Sequence, residues 1–215
     1  VVLTTGGFAA NNEMVAKYNP VYEGVDFICT PGDTGDGHVM AEAVGAELAY
    51  MDVMKANPFI VRDGSKHTMI GTYVNPGIVV SRAGVRLGNE HANYGFAPSV
   101  LALPEKEAVL ICNDAVKDKL EAPEALTGPF ETIDALAEAF GIDAEALRTT
   151  LSEFAQYAKE GSDPFGRTVF ADDLSSGPYY AAARKRMYCH TRPGVNHVRP
   201  YIILLRQPIA IYNII

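Results

Sequence analysis

A glycine-rich stretch near the N-terminus decides the fold of this chain: residues 32–43 read GDTGDGHVMAEA. The loop from Gly32 to Gly37 opens onto a helix, which we expect to run from about Gly37 to Leu48 because apolar residues recur at helical spacing. Such a loop directs free backbone N–H groups and the positive end of a helix at one point. The stretch predicts either a turn that binds a phosphate or a flavin edge, or an ordinary helix cap. Calcium is disfavoured, since the twelve-residue ligand pattern and its terminal Glu are absent.

A second glycine element lies upstream of this loop. Residues 1–3 form a buried-strand pattern that runs into Thr5-Gly6-Gly7, and a helix candidate capped by Asn11 follows. Two residues without Cβ atoms allow a ligand to approach the backbone closely, although glycines also serve a tight turn alone. The order of strand, turn and helix predicts part of an α/β sheet.

The middle of the chain predicts a mixed α and β region. Residues 78–87 have a hairpin pattern, and residues 108–112 form a buried-strand pattern. Two helices follow, one capped by Thr132 and ended by Gly141, the other capped by Asp143 and ended by Gly161. Their apolar residues repeat at helical spacing, which indicates core packing rather than chemistry.

Composition excludes several classes of protein. The chain has 215 residues and a formal net charge of −8, from 26 acidic and 18 basic side chains, which disfavours nucleic-acid partners and anionic membranes. No apolar run reaches the roughly eighteen residues of a membrane span, and no signal peptide is evident, so we expect a cytoplasmic protein. Three scattered cysteines without CxxC spacing predict neither disulfides nor a metal site.

Taken in order, the motifs resemble the fumarate reductase and succinate dehydrogenase flavoprotein family, over about residues 1 to 195. The branch that the chain resembles contains flavocytochrome c fumarate reductases and 3-ketosteroid dehydrogenases. The segments that carry the resemblance are Thr5–Asn11, Thr34–Ala43, Gly84–Glu90, Asp163–Arg167 and Pro178–Ala181, with the helix pair that is joined at Ile142-Asp143.

The resemblance implies an FAD enzyme with a doubly wound FAD domain and an inserted capping domain. We expect an α+β chain: a partial FAD domain over residues 1–52, a capping domain over 53–177, and a return segment over 178–215. The FAD-contacting positions that match are Thr5, Gly6, Gly7, Thr34, Gly35, Asp36 and Gly37, with Asp36 as the main polar contact. The GxGxxG motif of the family is not in the sequence, so we expect a fragment that binds FAD poorly and is inactive alone.

The resemblance also assigns substrate positions, and these depart from the dicarboxylate enzymes. The His-Pro-Thr motif of the family corresponds to Asn57-Pro58-Phe59, and its His-His-Thr segment corresponds to Cys189, His190 and Thr191. The proton-donating arginine corresponds to Tyr94, as in the ketosteroid dehydrogenase-like members. Each lost charged hydrogen bond is worth on the order of 1.5–3 kcal/mol, so fumarate is a doubtful substrate.

These observations predict hydride transfer between FAD and a small molecule with an activated carbon–carbon bond, such as an enone, with Tyr94 as acid or base. Two alternatives stay open. One is a non-catalytic binding module, and the other is a dicarboxylate reductase in which Arg82, Arg86 or Arg192 replaces the lost groups.

The last twenty residues, 196–215, differ from the rest of the chain. They contain six isoleucines and no acidic residue. We expect a strand pair, a segment that contacts a partner or a second copy of the chain, or a sequence that is not native to the rest.

Overall fold

The computed structural model describes residues 3–27, 29–57, 60–63, 66–69, 77–92, 97–184 and 188–190. Side chains are described for residues 3–25, 27, 29–54, 77–92 and 97–182. The chain divides into two compact units, residues 1–56 with 188–215 and residues 57–187. The tail, 196–215, lies outside the described residues, and its predicted contacts stay predictions. The domain boundaries predicted from the sequence also stay predictions.

The regular elements of the described residues are named here in chain order. The helices are α1 (Asn12–Tyr18), α2 (Asp36–Ala43), α3 (Ala97–Leu101), α4 (Ile133–Phe140) and α5 (Ala144–Glu160). The strands are β1 (Asp26–Phe27), β2 (Lys55–Asn57), β3 (Ile60–Asp63), β4 (Lys66–Met69), β5 (Ile78–Val80), β6 (Ala108–Asn113), β7 (Thr127–Phe130), β8 (Tyr179–Arg184) and β9 (Tyr188–His190). Among these helices, none combines the length and the apolar character that a membrane crossing requires.

The first unit contains α1, α2 and a three-stranded sheet in the order β1-β9-β2. Asn11 caps α1 as predicted, because its side chain accepts a hydrogen bond from the N–H of Met14 at 3.0 Å. Leu3 packs against Ala41 of α2 and Ala46.

The predicted end of α2 was wrong. The helix ends at Ala43 instead of near Leu48, and Gly45 follows with a φ of 87°. A glycine in the left-handed region just beyond a helix is a common stop signal, since it carries no Cβ to oppose that conformation.

The second unit is built on a four-stranded antiparallel sheet in the order β5-β6-β8-β7, with β3 and β4 as a separate hairpin. All six residues of β6 are buried, which explains why its sequence is almost continuously apolar. Together with the helices, this antiparallel sheet is consistent with the predicted α+β class.

Both predicted helices of this unit are confirmed. Thr132 accepts a hydrogen bond from the N–H of Ala135 at 3.2 Å, and Asp143 accepts one from Ala146 at 2.9 Å. Gly141 and Gly161 end the two helices in left-handed conformations, with φ of 62° and 74°. Their buried apolar residues, Leu136, Ala137, Leu147, Leu151 and Phe154, belong to the core.

The predicted hairpin is present but shorter than expected. Gly84 closes the turn by donating to Ser81 O at 3.0 Å, and Val80 pairs with Arg86 through a single bridge. The turn packs so closely on the start of α5 that a Cβ at Gly84, whose φ is 75°, would lie 2.7 Å from the Leu147 nitrogen. The position of this turn is therefore determined by a contact with a helix sixty residues later in the chain.

Candidate functional site

The two glycine loops of the first unit are joined to each other by hydrogen bonds. The N–H of Ala10 donates to Asp33 O at 3.0 Å, and the N–H of Gly35 donates to Gly7 O at 2.9 Å. The side-chain amide of Asn11, beyond its capping role, donates to Thr34 O at 2.9 Å. Two sequence elements that were assigned separately to the cofactor therefore form one structure.

Asp33 is the residue that the sequence interpretation missed. Its side chain is buried, and Oδ1 accepts a hydrogen bond from the N–H of Gly7 at 3.2 Å. Asp36, which was predicted as the polar contact, is exposed in the first turn of α2. The available signal was that aspartates in turns accept hydrogen bonds from backbone N–H groups, but the sequence does not reveal which aspartate does so.

The glycines of both loops are required by the way the loops pack. A Cβ at Gly6 would collide with Asp33 Oδ1, and a Cβ at Gly37 would collide with Thr5 Oγ1. At Gly35, whose φ is 81°, a Cβ would collide with Met14 Sδ. The predicted cofactor positions are therefore brought together, and their glycines allow contact between the two loops.

The beginning of α2 offers hydrogen-bond donors to a ligand. Gly35 is the N-cap residue and supplies no side-chain cap. Among the described residues, the N–H groups of Asp36 and Gly37 have no protein acceptor. Unpaired N–H groups at the positive end of a helix suit an electron-rich part of a ligand. These residues therefore fit a polar edge of a cofactor such as FAD.

His38 belongs to the first turn of α2 and adds no positive charge to this candidate site near neutral pH. Its ring packs edge-on against Phe8 with 5.7 Å between ring centroids, and its Nδ1 is buried without a hydrogen-bond partner. Burial lowers the pKa of His38 below its ordinary value, because the charged form loses hydration. The donors at this site are therefore backbone N–H groups.

The candidate substrate residues fall on neighbouring strands or outside the described part of the chain. Asn57 is the last residue of β2, and Cys189 and His190 belong to β9, which lies next to β2 in the sheet. Their side chains, like all of Tyr94 and Thr191, are outside the described residues. The roles of these residues stay predictions.

The arginines named for the dicarboxylate alternative are occupied by protein groups where the structure describes them. Arg86 is buried, and its Nη2 and Nη1 lie 2.7 Å and 2.8 Å from carboxylate oxygens of Glu90 and Asp163. Arg82 donates to Phe140 O at 2.7 Å and to Glu107 at 2.8 Å. Arg192 lies outside the described residues.

Comparison with known proteins identifies the family. A family profile described as "FAD binding domain" matches residues 1–196. The chain belongs to this FAD-binding family. The cofactor of the FAD-binding family is FAD, which agrees with the donors at the start of α2.

The curated relatives that this member of the FAD-binding family is similar to include a fumarate reductase and a urocanate reductase. Fumarate reductase (cytochrome) of Shewanella frigidimarina is 33% identical over 204 residues, covering 92% of this chain and 34% of that protein. Urocanate reductase of Eggerthella lenta is 30% identical over 213 residues, covering 91% and 35%. The chain thus spans about a third of the length of these curated relatives.

The predicted branch of the family is also confirmed. A 3-oxosteroid 1-dehydrogenase of Mycolicibacterium smegmatis is 26% identical over 225 residues, covering 85% of this chain and 40% of that protein. The solved open conformation of a flavocytochrome c3 fumarate reductase matches with a TM-score of 0.70 and 26% identity, covering 99% of this chain and 40% of that chain.

Proposed function

We propose that this protein is an FAD-dependent oxidoreductase that transfers a hydride between the flavin and a carbon–carbon bond activated by a neighbouring carbonyl group. When bound, FAD supplies the two-electron carrier that exchanges the hydride with the substrate. In this proposal the side chain of Tyr94 donates or accepts the proton on the neighbouring carbon. The observation that carries the proposal is the pair of interlocked glycine loops in a chain of the FAD-binding family.

The loops support the cofactor part of the proposal. Backbone donors at the start of α2 are held in place by contacts with the upstream loop, including the bond from Gly35 N–H to Gly7 O at 2.9 Å. Donors that are already fixed bind a polar group without a further ordering cost. The segment with Thr5, Gly6 and Gly7 and the segment from Thr34 to Gly37 would together hold one polar edge of FAD.

The arginines support a neutral substrate. Arg82 and Arg86 already bond to Glu107, Phe140, Glu90 and Asp163. Releasing Arg86 for a substrate carboxylate would take the Arg86 cation away from buried Asp163 and would leave Glu90 with Arg167 alone, which is strongly unfavourable. A carbonyl-activated substrate such as an enone needs no such pair of cations.

Tyr94 is proposed as the acid or base because a phenol can exchange a proton and suits a neutral substrate. The corresponding arginine of the dicarboxylate enzymes, which donates the proton there, would also bring a positive charge that a neutral substrate does not require. In this reaction the hydride moves between the flavin and one carbon, and the tyrosine proton moves to or from the adjacent carbon.

The dicarboxylate alternative has one specific observation in its favour, the 33% identity to a fumarate reductase over 92% of this chain. In that case the anion would be held by groups outside the described residues, such as Arg192. A substrate comparison separates the two proposals and also tests the binding-module alternative.

The experiment uses the protein at its full natural length with FAD in excess. The flavin is reduced with dithionite under anaerobic conditions, and its reoxidation is followed at about 450 nm after addition of 2-cyclohexen-1-one or fumarate. We expect reoxidation by the enone and little by fumarate. A faster reaction with fumarate would support dicarboxylate reduction, and no reaction with either acceptor beyond a protein-free blank would support a binding module.

The role of Tyr94 is tested in the same assay. We expect Tyr94→Phe to lower the turnover number by about 10²–10⁴-fold, the usual contribution of a general acid or base. Tyr157→Phe, a matched change on α5, should leave turnover unchanged. Normal turnover by Tyr94→Phe would remove this residue from the mechanism.

A further inference from the structure

We propose, as a deepening of the proposed function, that Glu90 is a positioning residue for Tyr94: its buried carboxylate holds residues 86–92 on β5, and Tyr94 follows this segment in the sequence. The inference rests on the proposed role of Tyr94. Glu90 lies four residues before that tyrosine in the sequence.

Glu90 accepts hydrogen bonds from three residues. Its Oε1 accepts from the N–H of Val79 at 3.1 Å and from Arg86 Nε at 3.0 Å. Its Oε2 accepts from Arg86 Nη2 at 2.7 Å and from Arg167 Nη1 at 2.9 Å. The side chain is fully excluded from solvent. Four donors on one buried carboxylate define its orientation narrowly.

The bond to Val79 continues the pairing that begins at the hairpin. The N–H of Leu87 donates to Val79 O at 3.3 Å, and the single bridge of Val80 to Arg86 precedes it. Beyond Leu87, the Glu90 carboxylate accepts the hydrogen bond from the N–H of Val79 that a backbone carbonyl would accept in a paired strand. The carboxylate therefore attaches residues 86–92 to the edge of β5.

The chain turns directly after this attachment. Asn89 accepts through Oδ1 from the N–H of His91 at 2.9 Å, and its carbonyl accepts from the N–H of Ala92 at 2.9 Å. Tyr94 lies only two residues beyond Ala92. Glu90 and Asn89 thus fix the chain as far as Ala92.

Glu90 belongs to a buried cluster of charged side chains. Arg86 Nη1 lies 2.8 Å from Asp163 Oδ2, and Asp163 Oδ1 accepts from the N–H of Arg167 at 2.8 Å. The centroid of the Phe154 ring lies 5.0 Å from the Cζ atom of Arg86 and 5.0 Å from that of Arg167. Two cations and two anions balance in a buried cluster, so a neutral residue at position 90 would leave an excess positive charge.

Loss of this attachment should affect catalysis more than substrate binding. Small displacements of a reacting group can cost about 10²-fold in rate. We expect Glu90→Gln, measured at a temperature where circular dichroism shows it folded, to lower the turnover number at least about tenfold with KM changed less than about twofold. Glu107→Gln, which removes the charge from an exposed pair with Arg82, is the matched control and should leave turnover unchanged.

A double variant distinguishes positioning from a general loss of structure. If Glu90 acts through Tyr94, Glu90→Gln should have no further effect on turnover in a Tyr94→Phe background. An equal loss in both backgrounds would overturn the inference. Because Glu90→Gln could fail to fold, Glu90→Asp serves as a second variant that keeps the charge but shortens the side chain.

Hydrogen exchange gives a readout that does not depend on activity. We expect faster amide exchange in peptides covering residues 86–92 of Glu90→Gln or Glu90→Asp, and unchanged exchange in β6. Unchanged exchange in residues 86–92 would overturn the inference. Normal turnover by Tyr94→Phe would instead overturn the role of Tyr94 in the proposed function. If Tyr94→Phe lowers turnover but both Glu90 variants turn over normally, only the positioning role of Glu90 is overturned.

Discussion

The carboxylate of Asp33 accepts a hydrogen bond from the backbone N–H of Gly7 at 3.2 Å, across twenty-six residues of sequence. The carbonyl of Asp33 also accepts from the N–H of Ala10 at 3.0 Å, so one residue contacts the upstream loop twice. A Cβ at Gly6 would collide with the same carboxylate. Asp33 therefore holds the two loops together, while exposed Asp36 remains available to a ligand.

Asp33 and Asp36 are expected to respond differently to substitution. Asp33→Ala should lower the free energy of unfolding by about 1–3 kcal/mol, because the buried N–H of Gly7 loses its acceptor. Asp36→Ala should cost less than about 1 kcal/mol, since an exposed acidic residue in the first turn only interacts with the helix dipole. Urea denaturation measures both, and equal losses would contradict the role assigned to Asp33.

Glycine 37 should not tolerate a side chain. Gly37→Ala should lower the free energy of unfolding by about 1–3 kcal/mol, because its Cβ would collide with the side chain of Thr5. Gly32→Ala is the matched control, since its Cβ would meet only Thr30 Oγ1 at an ordinary 3.7 Å. Combining Gly37→Ala with Thr5→Ala should recover part of the loss. Full stability of Gly37→Ala alone would show that the two loops can separate.

Arg167 should matter far more to stability than an exposed arginine. It is fully buried and donates to Glu90, to Gly77 O at 2.8 Å and to Val169 O at 3.0 Å. Arg167→Met should therefore cost about 3–5 kcal/mol, as expected when one member of a buried ion pair is removed. Arg148→Met, which breaks the exposed pair with Asp134, should cost at most about 1 kcal/mol. Similar losses in the two denaturation curves would argue against the buried cluster.

The pH dependence of stability should contain a contribution from His38. Its pKa is lowered in the folded chain by burial, so the unfolded chain binds more protons as the pH falls below the ordinary value of 6.5. The stability associated with neutral His38 is thus fully present above pH 6.5 and is lost as the pH falls toward the folded-state pKa. His38→Phe should lose less stability than the unsubstituted protein between about pH 7.5 and 5. Parallel curves for the two proteins would contradict this assignment.

Several elements were predictable because their signals are local. Asn11, Thr132 and Asp143 cap the helices that were assigned to them, and Gly141 and Gly161 end two of those helices. A cap or a stop depends on hydrogen bonds within three or four residues, so the sequence shows it directly. The family was also recognisable, since its glycine motifs occur in a characteristic order.

Other features were not visible because they depend on residues far apart in the chain. The bond from Arg167 to Glu90 joins positions seventy-seven residues apart, and Asp33 meets Gly7 across twenty-six. Each partner alone looks like an ordinary charged residue of a loop. The segments at 84–90 and 163–167 could be named as motifs, but their mutual contact through Arg86 and Asp163 could not.

The sequence thus predicted α1, α4, α5 and the buried strand β6, because short-range hydrogen bonding and apolar periodicity depend on neighbouring residues, and the order of its motifs indicated the FAD-binding family. It did not predict α3 or the end of α2. The tertiary structure selected Asp33 over Asp36 as the carboxylate that joins the loops, and it enclosed Glu90 in a cluster with two arginines. Those outcomes depend on which distant side chains are buried together. A charged group that is removed from water needs a partner of opposite charge or a hydrogen-bond donor, and only the fold determines which residue supplies it.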